Sequence, residues 1–196
     1  MNSRTATRRR ATSETDITLT LTLDGTGQAT LDTGVGFLDH MLNAFARHGR
    51  FDLQVLASGD LHVDDHHTVE DVGWVLGEAL SEALGDRAGI ARFGSSLLPM
   101  DEALAQVAID LSGRSLCAFD AALGGKIGGF DAELIREFFL AFSRTGGLTL
   151  HARILAGENR HHMAEALFKG LGRALDEATC LDSRIDGIAS TKGSLT

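Results

Sequence analysis

Apolar and polar residues alternate from Ile17 to Leu23, with Thr18, Thr20 and Thr22 set between the aliphatic positions. This period of two predicts a strand with one buried face. Asp24-Gly25-Thr26-Gly27 follows and predicts a tight turn into a short strand over 28–31, the two forming a hairpin. Beyond Gly34-Val35-Gly36 the period becomes helical: Phe37, Met41, Ala44 and Phe45 share one side over 37–47, and Gly49 is placed to end the helix. A strand is predicted over 51–57 and a long helix over 65–84, with Asp64 or Asp65 as its N-cap.

The second part of the chain repeats the theme. Strands are predicted over 103–111 and 115–119, joined through Ser112-Gly113-Arg114. Gly124-Gly125-Lys126-Ile127-Gly128-Gly129 lacks the spacing of a phosphate loop and is read as a linker between halves. A helix follows over 131–144, with Leu134, Ile135, Phe138, Phe139 and Phe142 on its apolar side. A strand over 148–155 and a helix from Arg160 or His161 to about Thr179 complete the pattern, and the tail through Ile188 to Ser194 is too polar for core.

Both long helices open on the same chemistry. Asp65-His66-His67-Thr68-Val69-Glu70 returns as Arg160-His161-His162-Met163-Ala164-Glu165. At about 100° per residue, positions i and i+4 share a helix face and neighbours diverge. His66 with Glu70, and His161 with Glu165, can therefore each grip one divalent ion, while His67 and His162 point elsewhere. Two ions, each taking one such pair and the spare histidine of the other helix, use every ligand. The match extends further: residues 40–47 align with 137–144, and 76–80 with 171–175. This predicts two copies of a strand-strand-helix-strand-helix unit about a pseudo-twofold axis, one domain over 1–196 with halves at about 14–95 and 102–190. Symmetry pairs His40 with Glu137 and sorts the ligands into His40, His67, His161 and Glu165 for one ion, and His66, Glu70, Glu137 and His162 for the other. His62 and His151 are read as structural or surface residues. Nitrogen and oxygen donors without thiolate suit manganese, zinc, iron or nickel and do not choose among them.

At 196 residues the chain can bury a substantial core, and its net charge of −9 argues against general nucleic-acid binding. Any anionic ligand must then meet a local basic pocket. Cys117 and Cys180 form no redox or metal motif, no apolar run reaches membrane-spanning length, and the Arg-rich N-terminus lacks the apolar segment of a leader. A reducing cytoplasm is the expected compartment.

With these residues in hand, the chain resembles the imidazoleglycerol-phosphate dehydratase family along nearly its whole length. The likeness is carried in order by Gly36-Phe37-Leu38-Asp39-His40-Met41-Leu42, Asp65-His66-His67-Thr68-Val69-Glu70-Asp71, Leu111-Ser112-Gly113-Arg114, the segment from His161 to Lys169, and Ser190-Thr191-Lys192-Gly193. The resemblance implies an α+β fold like the second domain of ribosomal protein S5, duplicated, with helices on one face of each sheet. It implies two Mn²⁺ per subunit, and a homo-oligomer of 24 subunits built from trimers with active sites between subunits. It implies a monofunctional enzyme, since the phosphatase domain fused to some relatives is not seen. One departure stands out: Glu137 occupies a place where many members carry histidine.

The resemblance also implies the reaction, loss of water from D-erythro-imidazole-glycerol phosphate to give imidazole-acetol phosphate in L-histidine biosynthesis. The imidazole ring is the available electron sink, and two flanking metals would hold it as imidazolate while hydroxide leaves. By the same resemblance Glu14 is the acid-base group and His48 a substrate or proton-transfer residue. Arg92, Arg114, Lys169, Ser190 and Lys192 would hold the phosphate. A metal store or sensor would explain the HHxxE pairs but not the cationic segments. An RNA-binding module is suggested by fold analogy alone and is opposed by the acidic charge.

Overall fold

The computed structural model describes residues 4–195. Its first half runs β1 (Thr5–Ala11), β2 (Thr15–Thr22), β3 (Ala29–Asp32), α1 (Gly36–Gly49), β4 (Asp52–Gly59) and α2 (His66–Leu84). The second runs β5 (Phe93–Met100), β6 (Ala103–Asp110), β7 (Leu116–Asp120), the small β8 (Lys126–Ile127) and β9 (Phe130–Asp131), α3 (Leu134–Gly146), β10 (Thr149–Ala156) and α4 (Arg160–Thr179). Each half makes a four-stranded sheet, ordered β1-β2-β4-β3 and β5-β6-β10-β7. The pairing is the same in both, antiparallel except for the last pair, which is parallel. The fold is thus α+β with duplicated half-domains, each unit carrying one more strand at its start than the five elements expected, and the second also the small β8 and β9.

The strand alternation from Ile17 to Leu23 is realised, since Ile17, Leu19, Leu21 and Leu23 are all buried. The expected hairpin is not. β4 lies between β2 and β3, pairing antiparallel with the former and parallel with the latter. The reason lies in Asp52 at the head of β4: its carboxylate accepts the amides of Thr26 at 2.8 Å and Gln28 at 3.0 Å. That contact draws the Asp-Gly segment across the start of β4 instead of letting it fold back on β2. The glycine-rich stretch is corrected likewise. Lys126–Ile127 pairs with Phe130–Asp131 as a small hairpin between β7 and α3, so it lies inside the second half and does not link the halves.

Helix packing joins the halves crosswise. α2 covers β1 and β2, and α4 covers β5 and β6, while α1 packs on α4 and α3 on α2. Phe138, Phe139 and Phe142 of α3 are fully buried, and Phe138 and Phe139 meet Phe168 of α4 with ring centroids 5.1 and 5.3 Å apart. Each such ring contributes roughly 1.5–3 kcal/mol by burial. The helices approach closely because of glycine. A Cβ on Gly172 would lie 2.4 Å from the Phe45 carbonyl oxygen, and one on Gly77 2.6 Å from that of Phe142, equivalent contacts in the two halves. No helix among the described residues is long and apolar enough to cross a membrane. Both cysteines are free, and burial pushes the Cys117 thiol up to about 11, far from reactive.

Candidate metal centre and anion pocket

Both HHxxE segments open their helices, with the histidines in the first turn and the glutamate just beyond it, and are fixed there in the same way. The Asp64 carboxylate accepts the His66 amide at 2.8 Å, and the Asn159 side chain accepts the His161 amide at 2.9 Å. Asp65 is the N-cap residue of α2 by position, but its side chain makes no cap bond, so the capping oxygen comes from Asp64.

The crosswise packing brings His40, near the start of α1, over the start of α4. His40 Nε2 and His161 Nε2 stand 3.3 and 3.2 Å from Glu165 Oε2, and one donor atom from each of the three residues lies within 4.8 Å of the others. Ligand atoms about 2.1 Å from a shared ion sit roughly 3.0–3.4 Å apart at octahedral or tetrahedral angles, so this set fits a divalent cation. Glu165 is buried, and its other oxygen receives Lys169 Nζ at 2.8 Å. Burial pushes the Glu165 carboxyl upward, but Lys169 and His40 outweigh it and hold the group below its ordinary value, hence anionic.

The pseudo-symmetric set is more open. His66 Nε2 is 3.9 Å from Glu70 Oε2. Glu137 shares a cavity of about 360 Å³ with His66 and an adjoining one with Glu70, and its carboxylate meets Arg136 at 3.3 Å. Among the described residues, only the His40 set reaches mutual ligand distance.

The spare histidines join neither set within the chain. His67 Nδ1–H donates to Asp60 at 3.0 Å, and its Nε2 is 3.9 Å from Glu14 Oε1. His162 Nδ1–H donates to Glu102 at 2.7 Å, with Asp101 3.7 Å from Nε2. These bonds raise both imidazoles above their ordinary value. His162 and the Asn159 amide in turn hold the Glu102 carboxyl down to about 2.

A third feature is cationic. Arg92, Arg114, Ser190 and Lys192 line one cavity of about 830 Å³ formed where the C-terminal tail folds over the start of β5. Asp110 orients the arginines, accepting Arg92 Nε at 2.7 Å and Arg114 Nη2 at 3.5 Å, while Arg92 also donates to the Ala189 carbonyl. Lys169 does not line this cavity and stands instead beside Glu165. His48 lies in the last turn of α1 and faces a separate cavity of about 1100 Å³ with Arg47 and Arg173. Partial burial, then the charges of Lys169 and Arg173, push its imidazole below the ordinary value, so it is neutral near pH 7. His62 and His151 are exposed and join no cluster of metal-ligand type.

Sequence reasoning passed over Asp60, Glu102 and Asp110. Asp110 carried no signal, because an i,i+4 spacing to Arg114 brings side chains together on a helix and these residues sit at a strand end and in the loop that follows it. Asp60 and Glu102 carried none either, since their partners are set by the tertiary fold.

The imidazoleglycerol-phosphate dehydratase family matches residues 33–175. The chain is 58% identical over 187 residues to imidazoleglycerol-phosphate dehydratase of Acetivibrio thermocellus, with 95% of this chain and 96% of that one covered. It is 57% identical to the Methylorubrum extorquens enzyme of the same name, covering 98% of this chain and all of the other. Two solved structures agree in fold. The dehydratase from Staphylococcus aureus superposes with TM-score 0.82 at 38% identity, over 91% of this chain and 99% of that one. The Pyrococcus furiosus dehydratase in complex with (S)-C348 gives 0.83 at 40%, over 95% and 99%. With the repeated HHxxE helices, the crosswise packing and a match this long, the chain belongs to the imidazoleglycerol-phosphate dehydratase family of hydro-lyases.

Proposed function

We propose that this protein is a cytoplasmic, metal-dependent dehydratase that converts D-erythro-imidazole-glycerol phosphate to imidazole-acetol phosphate and water in L-histidine biosynthesis. The observation that carries the reading is the convergence of His40, His161 and Glu165 from two halves of the chain onto one point. His40, His161 and Glu165 would hold one Mn²⁺, and His66, Glu70 and Glu137 the other. His67 and His162, turned toward carboxylates outside these sets, would complete the sites of neighbouring copies in a homo-oligomer, a 24-mer of trimers. Bound there, divalent ions supply Lewis acidity toward the ring nitrogens of the substrate.

The chain's own groups do the rest. Dehydration takes hydroxide from the carbon attached to the ring and a proton from its neighbour, and the resulting enol becomes the ketone. Glu14 Oε1, exposed beside His67 Nε2, accepts and returns the proton. His48, held neutral, is available as a second proton carrier. Arg92, Arg114, Ser190 and Lys192 bind the phosphate, with Asp110 keeping both guanidiniums aimed. Lys169 neutralises Glu165 and so tunes the metal site.

Purified protein given Mn²⁺ and imidazole-glycerol phosphate is expected to form the ketone, and chelator-treated protein to form it only when metal is restored. No ketone with metal present would sink the reading. Lys192→Ala is expected to raise KM at least about tenfold, the loss of one charge-assisted bond to phosphate, with metal content unchanged. Loss of metal instead would remove Lys192 from the anion pocket. Glu137→Ala is expected to lower bound Mn²⁺ by about one ion per subunit, since two ligand sets are present, and unchanged metal content would strike Glu137 from the ligands.

A further inference from the structure

The two halves treat their spare histidines alike, but with carboxylates from different places. Glu14 immediately precedes β2 and Glu102 immediately precedes β6, the second strand of each half. The two glutamates are therefore internal counterparts. Asp60 immediately follows β4, and its counterpart after β10 is Gly157, which has no side chain to offer. In the second half Glu102 takes the Nδ1–H of His162 at 2.7 Å. In the first half that task falls to Asp60, which takes the Nδ1–H of His67 at 3.0 Å, while Glu14 stands off the opposite ring nitrogen at 3.9 Å. One contact reached from two non-equivalent positions is not a passive result of duplication.

We propose that Glu102 and Asp60 are positioning residues that hold a proton on Nδ1 of His162 and His67 and so present Nε2 as the metal-binding atom, and that Asp60, by taking this task in the first half, leaves Glu14 free for proton transfer. The proposal rests on the metal-dependent reading above. Its physical basis is tautomer control: a neutral imidazole carries one N–H, and the acceptor facing one nitrogen decides which nitrogen keeps a lone pair for a metal. Glu102 is further fixed because its second oxygen accepts the amides of Asn159 at 2.8 Å and Glu158 at 3.3 Å, tying it to the entry of α4. Glu14 Oε1 is 3.9 Å from His67 Nε2, and its carboxylate is exposed and able to move.

Glu102→Gln tests this with little risk to folding. The amide oxygen can keep the bonds from Asn159 and Glu158, which leaves the NH₂ facing His162 Nδ1. The ring must then accept there and carry its proton on Nε2. Solid-state ¹⁵N spectra of metal-free, histidine-labelled protein, taken at a pH high enough to keep the imidazoles neutral, are expected to show one histidine switching tautomer in Glu102→Gln and none in Glu14→Gln. Mn²⁺ affinity at one site is expected to fall about 10–100-fold in Glu102→Gln, the usual scale for a group behind a ligand. Glu14→Gln is expected to keep full Mn²⁺ affinity and lose turnover. Unchanged tautomer and affinity in Glu102→Gln would overturn the proposal, as would equal loss of affinity in both variants. Failure of the unaltered protein to bind Mn²⁺ would be distinct, removing the metal-dependent reading and this one with it.

Discussion

Gly172→Ala is expected to lower the thermal midpoint by about 4–8 °C, and Gly77→Ala by a similar amount. A Cβ on Gly172 meets the Phe45 carbonyl oxygen at 2.4 Å and the Gly49 nitrogen at 3.0 Å, and one on Gly77 meets the Phe142 oxygen at 2.6 Å and the Gly146 nitrogen at 2.7 Å. Besides the Thr145 hydroxyl, 2.1 Å from a Cβ on Gly77, these obstacles are backbone, so relief requires α1 to part from α4, or α3 from α2. Overpacking of this kind costs roughly 3 kcal/mol, and alanine returns about 1 kcal/mol through its helix preference. The net of about 2 kcal/mol corresponds to the stated shift at about 2–4 °C per kcal/mol for a chain of this size. Gly36→Ala is the control, since a Cβ there meets nothing within 4 Å. Calorimetry of the three variants decides the matter, and an unshifted midpoint in both Gly77→Ala and Gly172→Ala would mean that the helices do not pack as described. Because α1 carries His40 and α4 carries His161 and Glu165, loss of metal affinity is expected to accompany the loss of stability.

Glu165→Gln is expected to be the most damaging single change to function. It replaces the one anion in the His40, His161 and Glu165 set by an isosteric neutral group, leaving Lys169 as an unopposed positive charge 2.8 Å from the former carboxylate. Mn²⁺ affinity at that site is expected to fall by more than about a hundredfold, beyond the scale seen for groups behind a ligand, and turnover to fall with it. The fold is expected to survive because the Lys169 side chain retains 22% exposure and can turn to water. Metal content and turnover measured on the same preparation provide the check. Full metal content in Glu165→Gln would remove Glu165 from the ligand set.

What could be read along the chain was whatever depends on near neighbours. The HHxxE helices, the buried face of β2 and the aromatic side of α3 are set by the i,i+4 and i,i+2 geometry of single elements, and all three are present. β1 and β5 were missed for an equally local reason. β1 runs through Arg8-Arg9-Arg10 with Ala6 as its only buried residue, and β5 contains Pro99, so both are edge strands without an alternating apolar signal.

The amino-acid sequence by itself determined the duplication, the two histidine-bearing helix starts and the family, because these rest on residue identity and short-range periodicity. Only the tertiary structure decided that β4 separates β2 from β3, that His40 meets His161 and Glu165, that Lys169 stands beside Glu165 and not in the cavity lined by Arg92 and Arg114, and that Asp60 and Glu102 hold the spare imidazoles. Each of these is a contact between segments far apart in the chain. Such a contact depends on which surfaces pack together, here through glycines on which a Cβ would stand 2.4–2.6 Å from the facing backbone oxygens of Phe45 and Phe142, and no spacing along the sequence encodes that choice.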